Sequence, residues 1–318
     1  MRPSDGRDEP DAVMKTLLLV GRGILGEAVE SAPWTRDYRV ITATRSPRAG
    51  AERVNVADPA SIGALFGRLG GGVDAVLNCA AMTDVDACER DPEAARAAHA
   101  AAVRELSAEC SKRDAVFVQI STNYVFSAHG DAPLKEDDPT APASVYGLTK
   151  LEGEHYALTV PRVSAVVRTS WIFGNTRNDF VRSFSDRLKS PAPVRVVADQ
   201  FASATYARDL AVIIGRILAS DLLPAAERPG PYRTTYHAAN AGTCSRHEMV
   251  SELAGIMGVS RPIERLSAAE LDRWAAVRPA RSALDCSKLE RALGIRPRHW
   301  REALKACWEE TQAIGSAP

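Results

Sequence analysis

The chain has 318 residues, with 40 basic and 40 acidic side chains, 45% hydrophobic residues and 25% charged residues. The balanced charge argues against a nucleic-acid partner, because proteins that bind phosphate backbones usually carry a basic excess. The apolar run near the start is far shorter than the roughly 20 residues of a membrane span, and the six cysteines show no metal-ligand spacing. We therefore expect a globular cytoplasmic protein with reduced thiols, no metal and no membrane partner.

The chain then predicts strands and helices in alternation. Residues 1–13 are polar and acidic, so we expect a disordered tail rather than a signal peptide. We predict strands at residues 15–20, 38–44, 75–78 and 115–120, and helices at residues 24–31, 59–69 and 88–112. This order predicts an α/β fold of Rossmann type, a doubly wound parallel sheet with helices on both faces.

The alternation weakens beyond Arg168, where shorter elements lie between loops rich in proline and glycine. We expect an NAD(P)-binding Rossmann domain over residues 14–172. Residues 173–318 should form mainly a smaller C-terminal substrate-binding lobe, with segments that interleave with the first domain.

A glycine turn follows the first predicted strand and opens the first helix. Its residues are Gly21, Arg22, Gly23, Ile24, Leu25 and Gly26. The pattern alone is weak, because such turns also occur for packing reasons. Between a strand and a helix it predicts a dinucleotide site, where the backbone can approach a pyrophosphate at a helix N-terminus.

The choice of cofactor depends on the end of the second strand. An NAD-preferring site places an acid about 20 residues beyond the glycine turn, whereas this chain has Arg45 and Arg48 there and no carboxylate between them. A guanidinium can pair with a 2′-phosphate. We predict NADPH as the cofactor, with NADH as the alternative. The explanation without a cofactor role is that the two arginines belong to a solvated basic loop.

Tyr146 and Lys150 lie four residues apart on a predicted helix that starts near Ser144, so the two side chains share one face. An ammonium beside a phenol would lower the phenol pKa from about 10 and favour proton transfer. Thr122 follows the strand predicted at 115–120, at the sheet edge where ligands bind. Together these residues predict a carbonyl reductase in which Tyr146 protonates the substrate oxygen and Thr122 holds it.

Several segments resemble the extended short-chain dehydrogenases and, within them, the dTDP-4-dehydrorhamnose reductase family. The resemblance runs from about Thr16 to Glu309. Its most specific pieces are VLNCAAMTDVDACERDP, VFVQISTNYVF, VYGLTKLEGE, RTSWIFG, NDFV, VVADQFASATYARDLA and RPARSALD.

The resemblance implies NADPH-dependent reduction of the 4-keto group of a nucleotide-linked 4-keto-6-deoxy sugar. It implies catalytic roles for Thr122, Tyr146 and Lys150, with Lys150 also holding the cofactor ribose. The expected cofactor contacts are Gly21, Gly23, Ile24, Leu25, Gly26, Arg45, Asp58, Ala80, Ala81, Tyr146 and Lys150. The expected substrate contacts are Thr83, Asn123, Tyr124, Trp171 and Gln200. The resemblance also allows a homodimer.

The chain departs from the family pattern around the sugar and the cofactor. Asn123 replaces the usual aspartate, His99 and Asp179 replace asparagines, and Ala204 replaces a proline. The glycine turn is one residue shorter than usual. The six histidines share no spacing, so we interpret them as surface or core residues.

Four alternatives follow from these residues. A reductase of another sugar, such as a dTDP-dihydrostreptose synthase, fits the same machinery, and so does a sugar-nucleotide epimerase with tightly retained NAD. A regulatory subunit without catalysis is disfavoured because Thr122, Tyr146 and Lys150 are all present. A 4,6-dehydratase is disfavoured because Asn123 and Tyr124 stand where an Asp-Glu pair is needed.

Overall fold

Seven parallel strands form the central sheet of the computed structural model, which describes residues 14–127, 130–174, 179–271 and 274–315. The strands are β1 Thr16–Val20, β2 Arg39–Thr44, β3 Glu52–Arg53, β4 Ala75–Asn78, β5 Val116–Thr122, β6 Val163–Thr169, β7 Ile172–Phe173, β8 Val194–Val197, β9 Phe201–Ala202, β10 Thr205–Tyr206, β11 Tyr232–His237, β12 Cys244–Ser245, β13 Ile263–Leu266 and β14 Arg281–Ser282. The order in the sheet is β11-β6-β5-β4-β1-β2-β3, and each neighbouring pair is parallel. The predicted Rossmann-type sheet is thereby confirmed.

Helices cover both faces of this sheet. They are α1 Ile24–Glu30, α2 Pro59–Leu69, α3 Val85–Arg90, α4 Pro92–Arg96, α5 Ala102–Arg113, α6 Val145–Thr159, α7 Phe180–Lys189, α8 Ala207–Ile217, α9 Leu223–Ala226, α10 Arg246–Ile256, α11 Ser287–Leu293 and α12 Trp300–Gly315. Leu17 and Leu19 of β1 pack in the core on one face, and Leu18 and Val20 pack in the core on the other. A strand buried on both faces explains the unbroken apolar run in the sequence.

The helix predicted at 88–112 is wrong as a single element. The chain forms α3, α4, a π-helical segment at Ala97–Ala101 and α5 instead. Asp91 ends α3 and caps α4 by accepting a hydrogen bond from Ala94, and Pro92 occupies the first helical position. Proline there has no N–H to donate, so the first helix stops and a new one starts.

The C-terminal half contributes to two regions. Strand β11 returns to the edge of the central sheet beside β6, while a separate core packs Val181, Val196, Leu253 and Leu304 together. Short sheets join β7 with β10, β8 with β13, and β9 with β12 and β14. The boundary at residue 172 stays a prediction, and the tail predicted at 1–13 lies outside the described residues.

In the described ranges, no helix combines the length and the apolar composition needed to cross a bilayer.

Candidate active site

A cavity of about 440 Å³ opens at the carboxyl ends of the central strands. Its lining residues are Gly23, Ile24, Leu25, Gly26, Cys79, Ala81, Thr83, Val85, Ile120, Ser121, Thr122, Asn123, Tyr124, Tyr146, Lys150, Thr169, Ser170, Trp171, Ile172 and Arg246. The strand order reverses between β1 and β4, and loops after both strands line the cavity. Such a switch point is where open α/β sheets bind ligands.

Packing requires two of the three predicted glycines. Gly21 has φ +93°, and a Cβ there would lie 2.6 Å from the backbone nitrogen of Ala80. A Cβ on Gly26 would overlap the carbonyl oxygen of Gly21. Gly21 also donates a hydrogen bond to Ala43 of β2 at 2.9 Å. The turn is therefore packed against β2 and the loop after β4, a placement that only glycine allows.

Gly23 has a different environment from its two neighbours in the motif. It is exposed, and a Cβ there would meet nothing within 4 Å. Gly23 therefore leaves open space beside the backbone at the mouth of the cavity. A phosphate group can approach the chain at this point, so the turn fits the diphosphate of a dinucleotide.

Helix α6 places Tyr146 in the cavity wall. Ser144 caps the helix by accepting a hydrogen bond from Gly147 at 3.2 Å. A Cβ on Gly147 would overlap the carbonyl oxygen of Tyr124, and one on Gly153 would overlap that of His99. The missing side chains let α6 approach both segments closely.

The Tyr146 ring is held between two other rings. The ring centroids of Tyr124 and His99 each lie 5.5 Å from that of Tyr146, and both contacts are edge-to-face. Thr122 makes a side-chain hydrogen bond with the phenol that favours its ionised form. The phenol therefore lies beside the hydroxyl that the sequence paired with it.

The expected lowering of the Tyr146 pKa is wrong for this structure. Burial raises that pKa to about 12, although a side-chain hydrogen bond with Thr122 acts to lower it. The Lys150 Nζ donates to the carbonyl oxygen of Ile120 at 2.7 Å. Loss of solvation outweighs the other influences, because an anion in an apolar site loses the stabilisation that water gives it.

Lys150 itself is deeply buried and carries a perturbed pKa. Burial lowers that pKa to about 8, while the nearby carboxylate of Glu154 acts to raise it. Glu154 forms a bidentate ion pair with Arg168 at 2.7 and 3.0 Å. The Ser121 hydroxyl also donates to Glu154. Ser121 therefore supports the charged groups behind the cavity, whereas Thr122 contacts the phenol.

His99 is a core residue that joins two parts of the site. It lies in the π-helical segment and is 1% exposed. Its Nδ1 lies 2.8 Å from the Thr149 hydroxyl, and its Nε2 accepts from the backbone N–H of Met82 at 3.0 Å. Since Thr149 donates to the carbonyl of Val145, we infer that Nδ1 carries the proton.

Burial lowers the pKa of His99 to about 3, so the ring stays neutral at physiological pH. His99 thereby ties the loop after β4 to helix α6. Sequence reasoning missed this role. The available signal was the replacement of a family asparagine beside a predicted catalytic helix.

The other predicted site residues divide into two groups. Thr83, Asn123, Tyr124, Trp171 and Ala81 line the cavity. Gly21, Ala80, Arg45, Asp58 and Gln200 lie outside its lining, although Gly21 and Ala80 pack against each other behind the turn. The Asn123 amide donates to the Ser282 hydroxyl at 2.7 Å, so part of its hydrogen-bonding capacity is already used.

Three of the predicted residues outside the cavity lining have distinct surroundings. Arg45 is exposed and lines a second hollow of about 410 Å³ together with Arg53 and Arg68. Asp58 caps α2 by accepting from Ala60 at 3.0 Å. Gln200 is buried in the loop between β8 and β9.

Arg246 is a lining residue that the sequence analysis did not identify. It is the first residue of α10, and its guanidinium lies 4.4 Å from the centroid of the Trp171 ring. Trp171 has φ +39°, a left-handed conformation that a bulky side chain seldom adopts. Among the described residues, no group of three His, Cys, Asp or Glu side chains could hold a metal ion.

Comparison with known sequences identifies close relatives. The family model described as the RmlD substrate binding domain matches residues 14–313. The chain is 37% identical over 235 residues to a dTDP-4-dehydrorhamnose reductase of Mycolicibacterium smegmatis, covering 73% of this chain and 69% of the relative. It is 34% identical over 271 residues to a probable dTDP-4,6-dihydroxy-2-methyloxan-3-one 4-ketoreductase of Streptomyces antibioticus, covering 85% and 88%.

Comparison with solved structures gives the same picture. The crystal structure of a dTDP-4-dehydrorhamnose reductase of Bacillus anthracis in complex with NADP aligns with a TM-score of 0.83 and 25% identity. The alignment covers 93% of this chain and 99% of that one. The similarity therefore extends through the C-terminal half as well as the nucleotide-binding sheet.

Proposed function

Because this chain belongs to the family of the RmlD substrate binding domain, we propose that it reduces a dTDP-linked 4-keto-6-deoxy sugar with NADPH. The product is the 4-hydroxy sugar, and the reaction belongs to deoxysugar biosynthesis. The observation that carries this proposal is the convergence of Thr122, Tyr146 and Lys150 on the cavity that the glycine turn also lines.

Tyr146 is the proposed proton donor. The reduction adds a hydride to the carbonyl carbon and a proton to the carbonyl oxygen; NADPH supplies the hydride when it is bound. With a pKa raised to about 12, the phenol is protonated at neutral pH and can donate its proton to that oxygen. Thr122 stabilises the phenolate left behind, because its hydrogen bond favours the ionised form.

Lys150 is the proposed source of the next proton. Its pKa of about 8 lies close to neutral pH, so the ammonium can give up and regain a proton readily. The bond to Ile120 fixes the ammonium in the cavity wall. We assign Lys150 two roles, holding the cofactor ribose and restoring the proton on Tyr146.

NADPH is the proposed cofactor. The NADP complex of the B. anthracis relative supports it, and so does the presence of Arg45 rather than an acid after β2. Gly23 and its open backbone fit the diphosphate of such a cofactor. Asp58, Ala80 and Ala81 remain proposed contacts to the rest of the dinucleotide.

A second candidate substrate has its own support. The S. antibioticus relative is named for a different dTDP-linked ketone, and Asn123 replaces the family's aspartate beside the sugar. A 4-keto sugar other than the rhamnose precursor would use the same proton and hydride chemistry. Thr83, Trp171 and Gln200 are the proposed residues that distinguish such sugars.

The test is a panel of dTDP-4-keto sugars offered to the purified protein with NADPH or NADH. We expect loss of the reduced-nicotinamide absorbance with at least one of these sugars, faster with NADPH. Absence of oxidation with every sugar, or release of an isomerised ketone without oxidation, would contradict the proposal. Cytoplasmic location, a homodimer and the absence of a nucleic-acid partner stay predictions.

A further inference from the structure

Arg246 contributes a positive charge to the cavity wall, and none of the described carboxylates forms an ion pair with it. Its guanidinium stacks on Trp171 at 4.4 Å and lies 5.7 Å from the ring centroid of Phe180. In the described part of the chain, no carboxylate lies within 4.0 Å of its nitrogens. The nearby acid on its own helix, Glu248, is engaged in a capping box with Ser245.

The neighbouring arginine is compensated by contrast. Arg278 stacks on Trp274 at 4.0 Å and also pairs with Asp86 at 2.6 Å. Burial and the charge of Arg278 both lower the pKa of Arg246. A cation removed from water is costly unless an anion accompanies it. The cavity therefore retains a positive charge that the described residues do not neutralise.

The Trp171 backbone supports a binding role for this pair. A tryptophan at φ +39° is strained, and strained residues concentrate at ligand sites. The central carbon of the Arg246 guanidinium lies over the Trp171 ring, 4.4 Å from the centroid. Stacking on an aromatic ring uses the face of a guanidinium and leaves its in-plane N–H groups available as a fork of donors.

We propose that Arg246, supported by Trp171, binds the diphosphate of the sugar-nucleotide substrate. This inference rests on the proposed function and adds a residue that recognises the substrate class. A diphosphate carries negative charge on both phosphates, and a guanidinium can donate to its oxygens in pairs. Arg246 follows β12 in the C-terminal half, whereas the glycine turn proposed for the cofactor diphosphate follows β1.

The experiment measures dissociation constants for dTDP, thymidine and NADPH by calorimetry. We expect Arg246→Gln to weaken dTDP binding roughly 10- to 100-fold, the range for a hydrogen bond between charged groups. Binding of thymidine and NADPH should stay within about twofold. Arg246→Lys should give a smaller loss of dTDP affinity, because lysine keeps the charge but lacks the forked N–H donors of the guanidinium. This variant replaces Arg246→Gln in the test if the Gln variant does not fold.

Arg301→Gln is the matched control. Arg301 also stacks on a tryptophan at 4.4 Å, but it pairs with Glu252 and lies outside the cavity lining. Its dTDP affinity should be unchanged. Equal dTDP affinity in the wild type and in a folded Arg246 variant would overturn the inference. This result would not contradict the proposed function. A loss of NADPH affinity alone would also overturn it, by assigning Arg246 to the cofactor.

If the wild type binds NADPH but neither binds dTDP nor reduces any dTDP-linked ketone, the proposed function fails, and this inference fails with it. That pattern differs from a failure of the Arg246 inference alone, in which the wild type still binds dTDP and turns over.

Discussion

The two sides of the cavity are built differently. On the cofactor side, Gly21, Gly26 and Gly147 allow backbone segments to meet at distances that no Cβ permits. On the substrate side, Trp171 and Arg246 come from segments 75 residues apart in the chain and meet through a ring and a charge. The first side depends on backbone packing that short motifs encode, whereas the second depends on tertiary contacts between single side chains.

Substitutions at the centre of the cavity, where the cofactor side and the substrate side meet, should have the largest effect on catalysis. Tyr146→Phe removes the only hydroxyl of that side chain and should lower kcat by roughly 10³-fold or more. Cofactor affinity should change little, because the ring and its edge contacts remain. Single-turnover kinetics with NADPH fluorescence separates the two quantities. Retention of most of the activity would remove Tyr146 from its role.

The next largest effect should come from backbone packing on the cofactor side. Gly147→Ala places a methyl group against the Tyr124 carbonyl oxygen, and we expect a loss of about 3 kcal/mol in the free energy of unfolding. Gly63→Ala in α2 is the control, since a Cβ there meets nothing within 4 Å. It should be neutral or slightly stabilising. Urea denaturation gives the free energy of unfolding of both variants. Equal values would contradict the tight packing that we assign to Gly147.

Asp179 tests the substrate side, where this chain departs from its family. It stands at the N-cap of α7 without a side-chain cap bond, although backbone N–H groups of Gly174, Phe180 and Val181 face its carboxylate and act to lower its pKa. Burial raises the pKa of its carboxyl from 3.8 to about 6. Since the folded pKa lies above the unfolded one, stability is lost as pH rises through 6.

Asp179→Asn cannot ionise, so it should raise the free energy of unfolding at pH 7 by about 3 kcal/mol. The gain should shrink as the pH falls and vanish at about pH 3 and below, where the carboxyl is protonated in both states. Urea melts of both proteins at the two pH values give the result. The exposed Asp37→Asn should show no comparable change. A gain that is independent of pH would mean that ionisation is not the cause.

Arg45 should give the smallest effect, because it is exposed at the rim of a hollow that two other arginines also line. Arg45→Ala should lower the preference for NADPH over NADH by roughly tenfold, the loss of one charge-assisted hydrogen bond. The ratio of kcat/KM for the two cofactors measures it. Arg104→Ala on α5 provides a control, and an unchanged ratio in the Arg45 variant would assign the 2′-phosphate to other residues.

The same division explains what the sequence could predict. Strand β1, the glycine turn and helix α2 follow from local apolar patterns and start signals, and α2 begins and ends where predicted. The helix start predicted near Ser144 is confirmed, because Ser144 caps α6. These features depend on neighbours along the chain, so a single sequence contains enough information for them.

The remaining features depend on contacts between distant segments. The His99 ring, in the π-helical segment, bonds Met82 and Thr149 at the same time. The Lys150 ammonium donates to the carbonyl of Ile120, a contact between α6 and β5. The spacing of residues along the chain does not indicate that Arg246 packs on Trp171. Such pairings become visible only when the fold brings the segments together.

The most direct test of hydride delivery in this cavity uses NADPH in which the hydrogen that is transferred as hydride is replaced by deuterium. The protein would be incubated with this cofactor and a dTDP-4-keto-6-deoxy sugar, and the product examined by NMR and mass spectrometry. The account predicts a single deuterium on the carbon that carried the ketone, with stoichiometric oxidation of the cofactor. A product without deuterium at that carbon, or an altered sugar formed without cofactor oxidation, would contradict it.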